Sequence, residues 1–84
     1  MNSIKWSPKA VKQLFKLDRA DQIAIRDAVA KLASMPDARN VRALVNYQYQ
    51  FRLRVGGYRV FFDFDGAAHI VYLEEVRKRD DRTY

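Results

Sequence analysis

Two glycines divide an arginine-rich segment, FRLRVGGYRVFF at residues 51–62, into two halves in which apolar residues alternate with others. The Gly56-Gly57 pair is typical of a two-residue hairpin turn. With that turn, the predicted cross-strand pairs are Val55 with Tyr58, Arg54 with Arg59, Leu53 with Val60 and Arg52 with Phe61. Like charges directly opposed across strands repel each other. The pairing of Arg54 with Arg59 therefore favours a surface that an anion such as phosphate would stabilise.

The outward face of this hairpin combines charge with polar and aromatic groups. Guanidinium groups beside aromatic rings suit single-stranded RNA, because phosphates meet arginine and unstacked bases meet ring faces. The hairpin residues predicted to contact RNA beside Arg52 and Arg59 are Gln50, Arg54 and Phe61. The alternative is that the arginines extend apart into water at a small cost in stability.

A basic tail, RKRDDRTY at residues 77–84, follows the last predicted strand. If that strand pairs with the second half of the hairpin, the tail can fold back toward the arginines. The tail residues predicted to contact RNA are Arg77, Lys78 and Arg82. A charge run at a terminus is also typical of a solvated tail, and this alternative stays open.

The first half of the chain predicts a strand and two helices that position this face. Ile4 and Trp6 alternate with polar residues, which is typical of a short strand. Ser7-Pro8 supplies a helix cap and a proline at the first helical position, and apolar residues at helical spacing follow it. A second, longer helix begins after residues 18–21 and ends before Met35-Pro36.

The second half of the chain predicts three strands. Residues 37–46 are expected to form a connecting loop anchored by Val41 and Leu44. Alternation over residues 47–55 predicts one face directed at the helices, made of Tyr47, Tyr49, Phe51, Leu53 and Val55. Asp65-Gly66 marks a second turn, and a third long strand follows over about residues 69–76.

The predicted order β-α-α-β-β-β indicates an α+β fold. Its N-terminal helical hairpin packs on one face of a small, twisted, mainly antiparallel sheet, and the arginines lie on the other face. A chain of 84 residues is expected to form one domain, residues 1–84.

Composition narrows the class of protein. Sixteen Lys and Arg against ten Asp and Glu give a net charge of +6, which favours a polyanionic partner. With no cysteine and one histidine, neither disulfides nor a transition-metal site is expected, and no cofactor is predicted. No signal peptide or membrane span is recognisable, so a cytoplasmic protein without membrane contact is expected.

The chain resembles the RelE/ParE superfamily of toxins from bacterial toxin-antitoxin systems over nearly its whole length. The resemblance rests on SPKAVKQLFKL after the opening strand, LASMP at the end of the longer helix, FRLRVGGYRVFF, and the closing VRKRDDRTY. It implies a type II toxin that is monomeric when free and forms a hetero-oligomer with a cognate antitoxin. RelE-like members cleave mRNA in the ribosomal A site, whereas ParE-like members inhibit DNA gyrase.

The resemblance to RelE-like members implies an endoribonuclease whose active site is best matched by Arg52 or Arg54, together with Arg59, Arg79 and Tyr84. The implied reaction is attack of a 2′-hydroxyl on the adjacent phosphate, which leaves a 2′,3′-cyclic phosphate and a 5′-hydroxyl. RelE-like sites often carry lysines before the turn, where this chain has Gln50, Arg52 and Arg54. Arginine is a poor base, so the resemblance does not identify the general base.

Two other functions remain open at this point: a non-enzymatic gyrase inhibitor of the ParE kind, and a catalytically weak module that binds RNA or antitoxin. The arginine-rich tail favours the nuclease. Among other candidates, His69 is expected to be an exposed strand-edge residue and Tyr72 a core residue. Glu74 and Glu75 point to opposite faces of a strand, and one of them is expected to pair with an arginine.

Overall fold

The computed structural model describes residues 1–79 of the chain. Strand β1 (Ser3–Trp6) is followed by helices α1 (Pro8–Phe15) and α2 (Arg19–Ala30) and a 3-10 turn (Lys31–Ser34). The remaining elements are strands β2 (Val41–Ala43), β3 (Phe51–Val55), β4 (Tyr58–Asp65) and β5 (Ile70–Lys78). The α+β class is confirmed, with one short strand, β2, that the sequence pattern did not predict.

The five strands form one sheet in the order β1-β5-β4-β3-β2. The first and last strands of the chain are neighbours and run parallel, while the other pairs are antiparallel. Parallel neighbours need a long crossover connection. The whole stretch from α1 to β4 provides it here, so β1 joins the sheet only when β5 is present.

The N-terminal helix begins where its sequence predicts. The Ala10 amide donates to the Ser7 hydroxyl at 3.0 Å, and Pro8 occupies the first turn. This cap satisfies an amide that would otherwise have no intrahelical partner. The Ser7 hydroxyl also donates to the Glu74 carbonyl at 3.0 Å, so the cap fixes the helix against β5.

The hydrophobic core lies between the helices and one face of the sheet. Its fully buried members include Ala10, Ile25 and Leu32 from the helical layer, and Val60, Phe62, Val71 and Leu73 from the sheet. The β3 and β4 residues in this core are the inward set of the predicted hairpin. One face of the sheet therefore packs against the helices, and the opposite face lies outside this core.

Beyond the end of β1, helix α1 covers the edge of β5. The side-chain oxygen of Gln13 accepts a hydrogen bond from the Val76 amide at 2.7 Å. An exposed strand edge offers unpaired amides to other chains, and Gln13 satisfies one of them. Within residues 1–79, no helix is long and apolar enough to cross a membrane.

Strand β2 is the main departure from the predicted organisation. Residues 41–43 were expected to lie in a loop, but they pair with β3, and Val41 packs against the core as expected. Three residues are too few for alternation to distinguish a strand from a loop. The extra strand places Arg42 directly opposite Arg52.

Candidate functional site

The predicted hairpin register is confirmed. Arg54 pairs with Arg59, and Arg52 with Phe61, around the Gly56-Gly57 turn. Arg59 pairs on its other side with Arg77 of β5. Three arginines therefore lie in one row across three neighbouring strands, which we call the arginine row: Arg54, Arg59 and Arg77. Directly opposed residues have Cβ atoms about 5 Å apart, so the row concentrates positive charge on the face opposite the helices.

A break in the pairing of β5 puts Arg77 in this row. The register shifts between Phe61, which pairs with Glu75, and Phe62, which pairs with Leu73, so Glu74 is an extra residue in the strand. Side chains alternate between the two faces of a strand. Without the extra residue, Glu75 and Arg77 would share the helix-facing side with Leu73. The bulge turns both charged side chains to the arginine face.

A second row of paired residues lies two residues further along the strands and ends in a buried carboxylate. Arg42, Arg52, Phe61 and Glu75 are paired in succession across β2 to β5. Sequence reasoning missed Arg42 because its strand was not predicted. Only the apolar, basic, apolar order of residues 41–43 hinted at an outward arginine.

Phe61 does not present its ring to solvent, contrary to the prediction that it contacts RNA. It is fully buried because the rings of Tyr47 and Tyr49 cover it, with centroids 5.4 and 5.8 Å from its own. These tyrosines were expected on the helix side. Residues 47–50 form bends rather than a strand, so strand alternation does not govern which way they point.

Glu75 is the one charged residue among the buried residues of the described chain, with 3% of its surface exposed. Its Oε1 lies 2.6 Å from Nε of Arg77 and 3.5 Å from Nζ of Lys9. Burial disfavours ionisation of this carboxyl, but the hydrogen bonds from Arg77 and Tyr49 and the nearby positive charges outweigh it, so the Glu75 pKa lies below its ordinary value. The expected pairing of one of the two glutamates with an arginine is confirmed.

Neither Tyr49 nor Glu75 is suited to act as a general base. Burial, followed by the hydrogen bond to Glu75, raises the pKa of Tyr49 to about 12, so the phenol stays neutral at physiological pH. Glu75 is ionised but buried beneath its partners. Both residues therefore stabilise the sheet face that carries the arginines, and neither acts as a base there.

Gln50, directly before the start of β3, adds hydrogen bonds to β4. Its backbone amide donates to Oδ1 of Asp63 at 2.8 Å, and its side-chain oxygen accepts from the Phe64 amide at 2.8 Å. These bonds tie the loop before β3 to β4. The Gln50 side-chain oxygen, predicted to face RNA, is engaged in holding this loop.

The basic residues at the carboxyl end of β5 were predicted to lie together on the RNA-binding face, and they do not all do so. Lys78 pairs with Tyr58, which places it on the helix-facing side, where it lines a groove with Gln13 and Leu17. The Arg79 amide donates to the Gly57 carbonyl at 2.7 Å, so Arg79 lies beside the hairpin turn. The predicted residues Arg82 and Tyr84 lie outside the described residues.

The structure also places two further residues that the sequence analysis considered, His69 and Tyr72. His69 is exposed, as expected, and has a left-handed backbone φ of 58°. Tyr72 is also exposed rather than in the core, because it lies on the outward side of β5 opposite Asp63. Among residues 1–79, no cluster of side chains has the composition of a metal site.

The fold is similar to those of solved RelE toxins. The chain matches the archaeal RelE in the RelE-RelB complex from Pyrococcus horikoshii OT3 with a TM-score of 0.80 and 21% identity, covering 94% of this chain and 96% of that one. The toxin of the RelBE2 complex from Mycobacterium tuberculosis gives a TM-score of 0.78 and 21% identity, covering 93% and 98%. The isolated E. coli RelE toxin gives 0.79 and 14%, covering 99% and 89%.

The family model and the fold together identify the chain as a toxin of the RelE/ParE superfamily, the toxin component of a type II toxin-antitoxin system. The family model described as "ParE toxin of type II toxin-antitoxin system, parDE" matches residues 4–82, and the chain belongs to that family. No curated protein sequence matches the chain significantly.

Proposed function

We propose that this toxin is a ribosome-dependent endoribonuclease that cleaves mRNA in the ribosomal A site and is neutralised by a cognate antitoxin in the cytoplasm. The observation that carries the proposal is the arginine row, Arg54, Arg59 and Arg77, on the sheet face opposite the core. Arg77 is already paired with Glu75, and an anion across Arg54 and Arg59 would offset the repulsion between those two opposed guanidinium groups. A phosphodiester is an anion of the required size and charge.

In the proposed reaction, the 2′-oxygen bonds to the adjacent phosphorus while the bond from phosphorus to the 5′-oxygen breaks. The 2′-hydroxyl proton passes to a base, and the departing 5′-oxygen gains a proton. Arg59 and Arg52 stabilise the extra negative charge of the pentavalent phosphorane, in the manner of an oxyanion hole. Arg79, whose amide bonds to Gly57 at the hairpin turn, assists the leaving oxygen.

Tyr84 is proposed to contact the RNA substrate in one of two roles. A phenol can stack on a base, or it can accept the 2′-hydroxyl proton if nearby arginines lower its pKa. Tyr84→Phe distinguishes the two roles, because a stacking role survives the change and a general-base role does not. The ribosome completes the proposed site by holding the codon in a reactive geometry.

The antitoxin partner is supported by the relatives. The Pyrococcus and Mycobacterium toxins were each solved in complex with an antitoxin. The positive charge of this chain favours an acidic or amphipathic antitoxin segment laid over the sheet or the helices.

A translation reaction with purified ribosomes tests the nuclease proposal. The parent protein is expected to cut mRNA within the A-site codon and leave 5′-hydroxyl ends, which primer extension and end-labelling detect. Arg59→Ala is expected to slow cutting by about 10²- to 10³-fold, as for the loss of one group that stabilises an oxyanion. Arg26→Ala, an exposed arginine on α2, is the matched control. Unimpaired cutting by Arg59→Ala would show that the arginine row is not the site.

The family model favours a second candidate, inhibition of DNA gyrase without catalysis. In that case mRNA stays intact, a supercoiling assay with purified gyrase is inhibited, and cells expressing the toxin accumulate DNA breaks. Running both assays on the same preparation decides between the two functions.

A further inference from the structure

The tyrosine that covers Phe61 also lines a cleft beside the arginine row. Tyr47 is half-buried. Its ring centroid lies 5.4 Å from that of Phe61 at an interplanar angle of 33°, and 6.2 Å from that of Tyr49 in an edge-on arrangement. The ring is thus supported from below by two other rings.

The loop that carries Tyr47 is tied down at its end. The Leu44 amide donates to the Gln50 carbonyl at 2.9 Å, which closes residues 44–50 into a loop. Gln50 is in turn bound to Asp63 and Phe64 of β4. Hydrogen bonds to β4 therefore hold the end of the loop, and the tyrosine ring rests against Phe61.

The cleft beside this ring has a volume of about 310 Å³ and is lined by Arg42, Ala43, Leu44, Val45, Tyr47 and Arg52. Arg42 and Arg52 are directly opposed across β2 and β3, so the cleft contains a second pair of facing guanidinium groups. Val45 is a large apolar residue with 84% of its surface exposed. An aromatic ring, apolar side chains and two arginines together match the parts of a nucleotide: a flat base and a phosphate.

We propose that this cleft is a nucleotide subsite, in which a base of single-stranded RNA stacks on Tyr47 and its phosphate lies between Arg42 and Arg52. The inference rests on the proposed function for the identity of the ligand. Arg52 lies two residues along β3 from Arg54 and also contacts the scissile phosphate in the proposed reaction. It therefore bridges the two sites, and the subsite holds the nucleotide next to the one at the arginine row. The competing interpretation is that Tyr47 serves only to cover Phe61.

The test measures the affinity of the purified full chain for a short, fluorescently labelled single-stranded RNA. The RNA carries 2′-O-methyl groups throughout and cannot be cleaved. Tyr47→Leu keeps an apolar cover over Phe61 but removes the stacking surface, and it is expected to weaken binding about tenfold. Tyr47→Phe is expected to bind like the parent protein, because the ring remains.

Tyr72→Leu is the matched control, since Tyr72 is an exposed tyrosine on the same sheet face, near the opposite edge. It is expected to leave RNA binding unchanged. Arg42→Gln provides a second variant that does not touch the aromatic cluster. It is expected to reduce the slope of log affinity against log salt concentration by about 0.7, the loss of one phosphate contact to a single strand. Thermal melting of each variant verifies that it is folded.

The outcomes separate the subsite from the proposed function. Equal binding by the parent protein, Tyr47→Leu and Arg42→Gln overturns the subsite and leaves the nuclease proposal standing. Absence of RNA binding by the parent protein, even at low salt, overturns the subsite, while the cutting assay on ribosomes decides the nuclease proposal separately. Weakened binding by Tyr47→Leu with retention by Tyr47→Phe supports the subsite, whether or not the RNA is cleaved on ribosomes.

Discussion

At the scale of single residues, a buried carboxylate holds the charged face together. Glu75 accepts hydrogen bonds from Arg77 and Tyr49 and lies near Lys9. Burying a charge is costly unless it is paired and hydrogen-bonded, and Glu75 meets both conditions. Arg77 thereby gains a fixed position in the arginine row, and the phenol over Phe61 gains a fixed direction.

Replacing Glu75 with Gln is expected to destabilise the protein in a pH-dependent way. The Glu75 pKa is lowered in the folded state, so the ionised carboxylate stabilises the fold at pH values above the ordinary pKa of 4.5, and this contribution is lost as the pH falls below it. At neutral pH, loss of a charged partner from a buried pair should cost about 3 kcal/mol.

Urea unfolding of the parent protein and Glu75→Gln across pH 7 to pH 3, roughly the range over which carboxyl groups titrate, measures this effect. The stability gap should be constant near neutrality and narrow in acid. Glu74→Gln is the neighbouring control: burial and the charge of Asp63 raise the Glu74 pKa, so its contribution has the opposite pH dependence. A gap for Glu75→Gln that does not change with pH would contradict the assignment.

At the scale of elements, the turn of the β3–β4 hairpin places the two glycines in different conformations. Gly56 has a left-handed φ of 52°, whereas Gly57 lies outside that region, and a Cβ at either position would meet no atom within 4 Å. Any difference between the two alanine variants therefore reports the backbone alone.

Gly56→Ala is expected to lower the free energy of unfolding by about 1 kcal/mol. Gly57→Ala, with no left-handed strain and no clash, should change it by less than about 0.5 kcal/mol. Chemical denaturation of the two variants side by side gives the comparison. Equal losses would mean that the turn does not depend on the left-handed residue.

The contact between α1 and the edge of β5 can be tested in the same way. Gln13→Ala removes the acceptor for the Val76 amide and should cost about 1 kcal/mol. It should also speed hydrogen exchange at that amide in particular. Lys12→Ala, an exposed neighbour on the same helix, should leave exchange at Val76 unchanged.

The strands and helices could be predicted from sequence where residues close together in the chain determine them. The hairpin register follows from one turn and the alternation on both sides of it, and every predicted pair between β3 and β4 is present. The failures depend on distant groups. Tyr47 and Tyr49 face outward in a loop that Gln50 ties to β4, and the partners of Gln50, Asp63 and Phe64, are distant from the tyrosines in sequence.

The site shows the same limit. The bulge at Glu74 decides which face carries Arg77, and a single extra residue in a strand leaves no pattern that distinguishes it from ordinary alternation. Arg42 was missed because its strand is three residues long. The positions of Arg54 and Arg59 needed only the hairpin, and they were predicted.

At the scale of the whole molecule, residues 1–79 form a packed hydrophobic core and a five-stranded sheet. Removing residues 80–84, which include Arg82 and Tyr84, is therefore expected to shift the melting temperature by less than about 4 °C, the effect of roughly 1 kcal/mol in a domain of this size. The same truncation should abolish mRNA cutting on ribosomes. A truncated protein that still cuts would remove the tail from the proposed site, and calorimetry provides the stability control.

The pairing of the first strand with the last has a consequence for synthesis. Ser3 of β1 lies opposite Ile70 of β5, and the arginine row takes its third member from β5. Domains fold during translation as their sequence emerges, at about 5–20 residues per second, but β1 and both helices are made long before β5, the strand that lies between β1 and β4 in the sheet. The nascent chain therefore cannot close its sheet or complete the arginine row until β5 has been made.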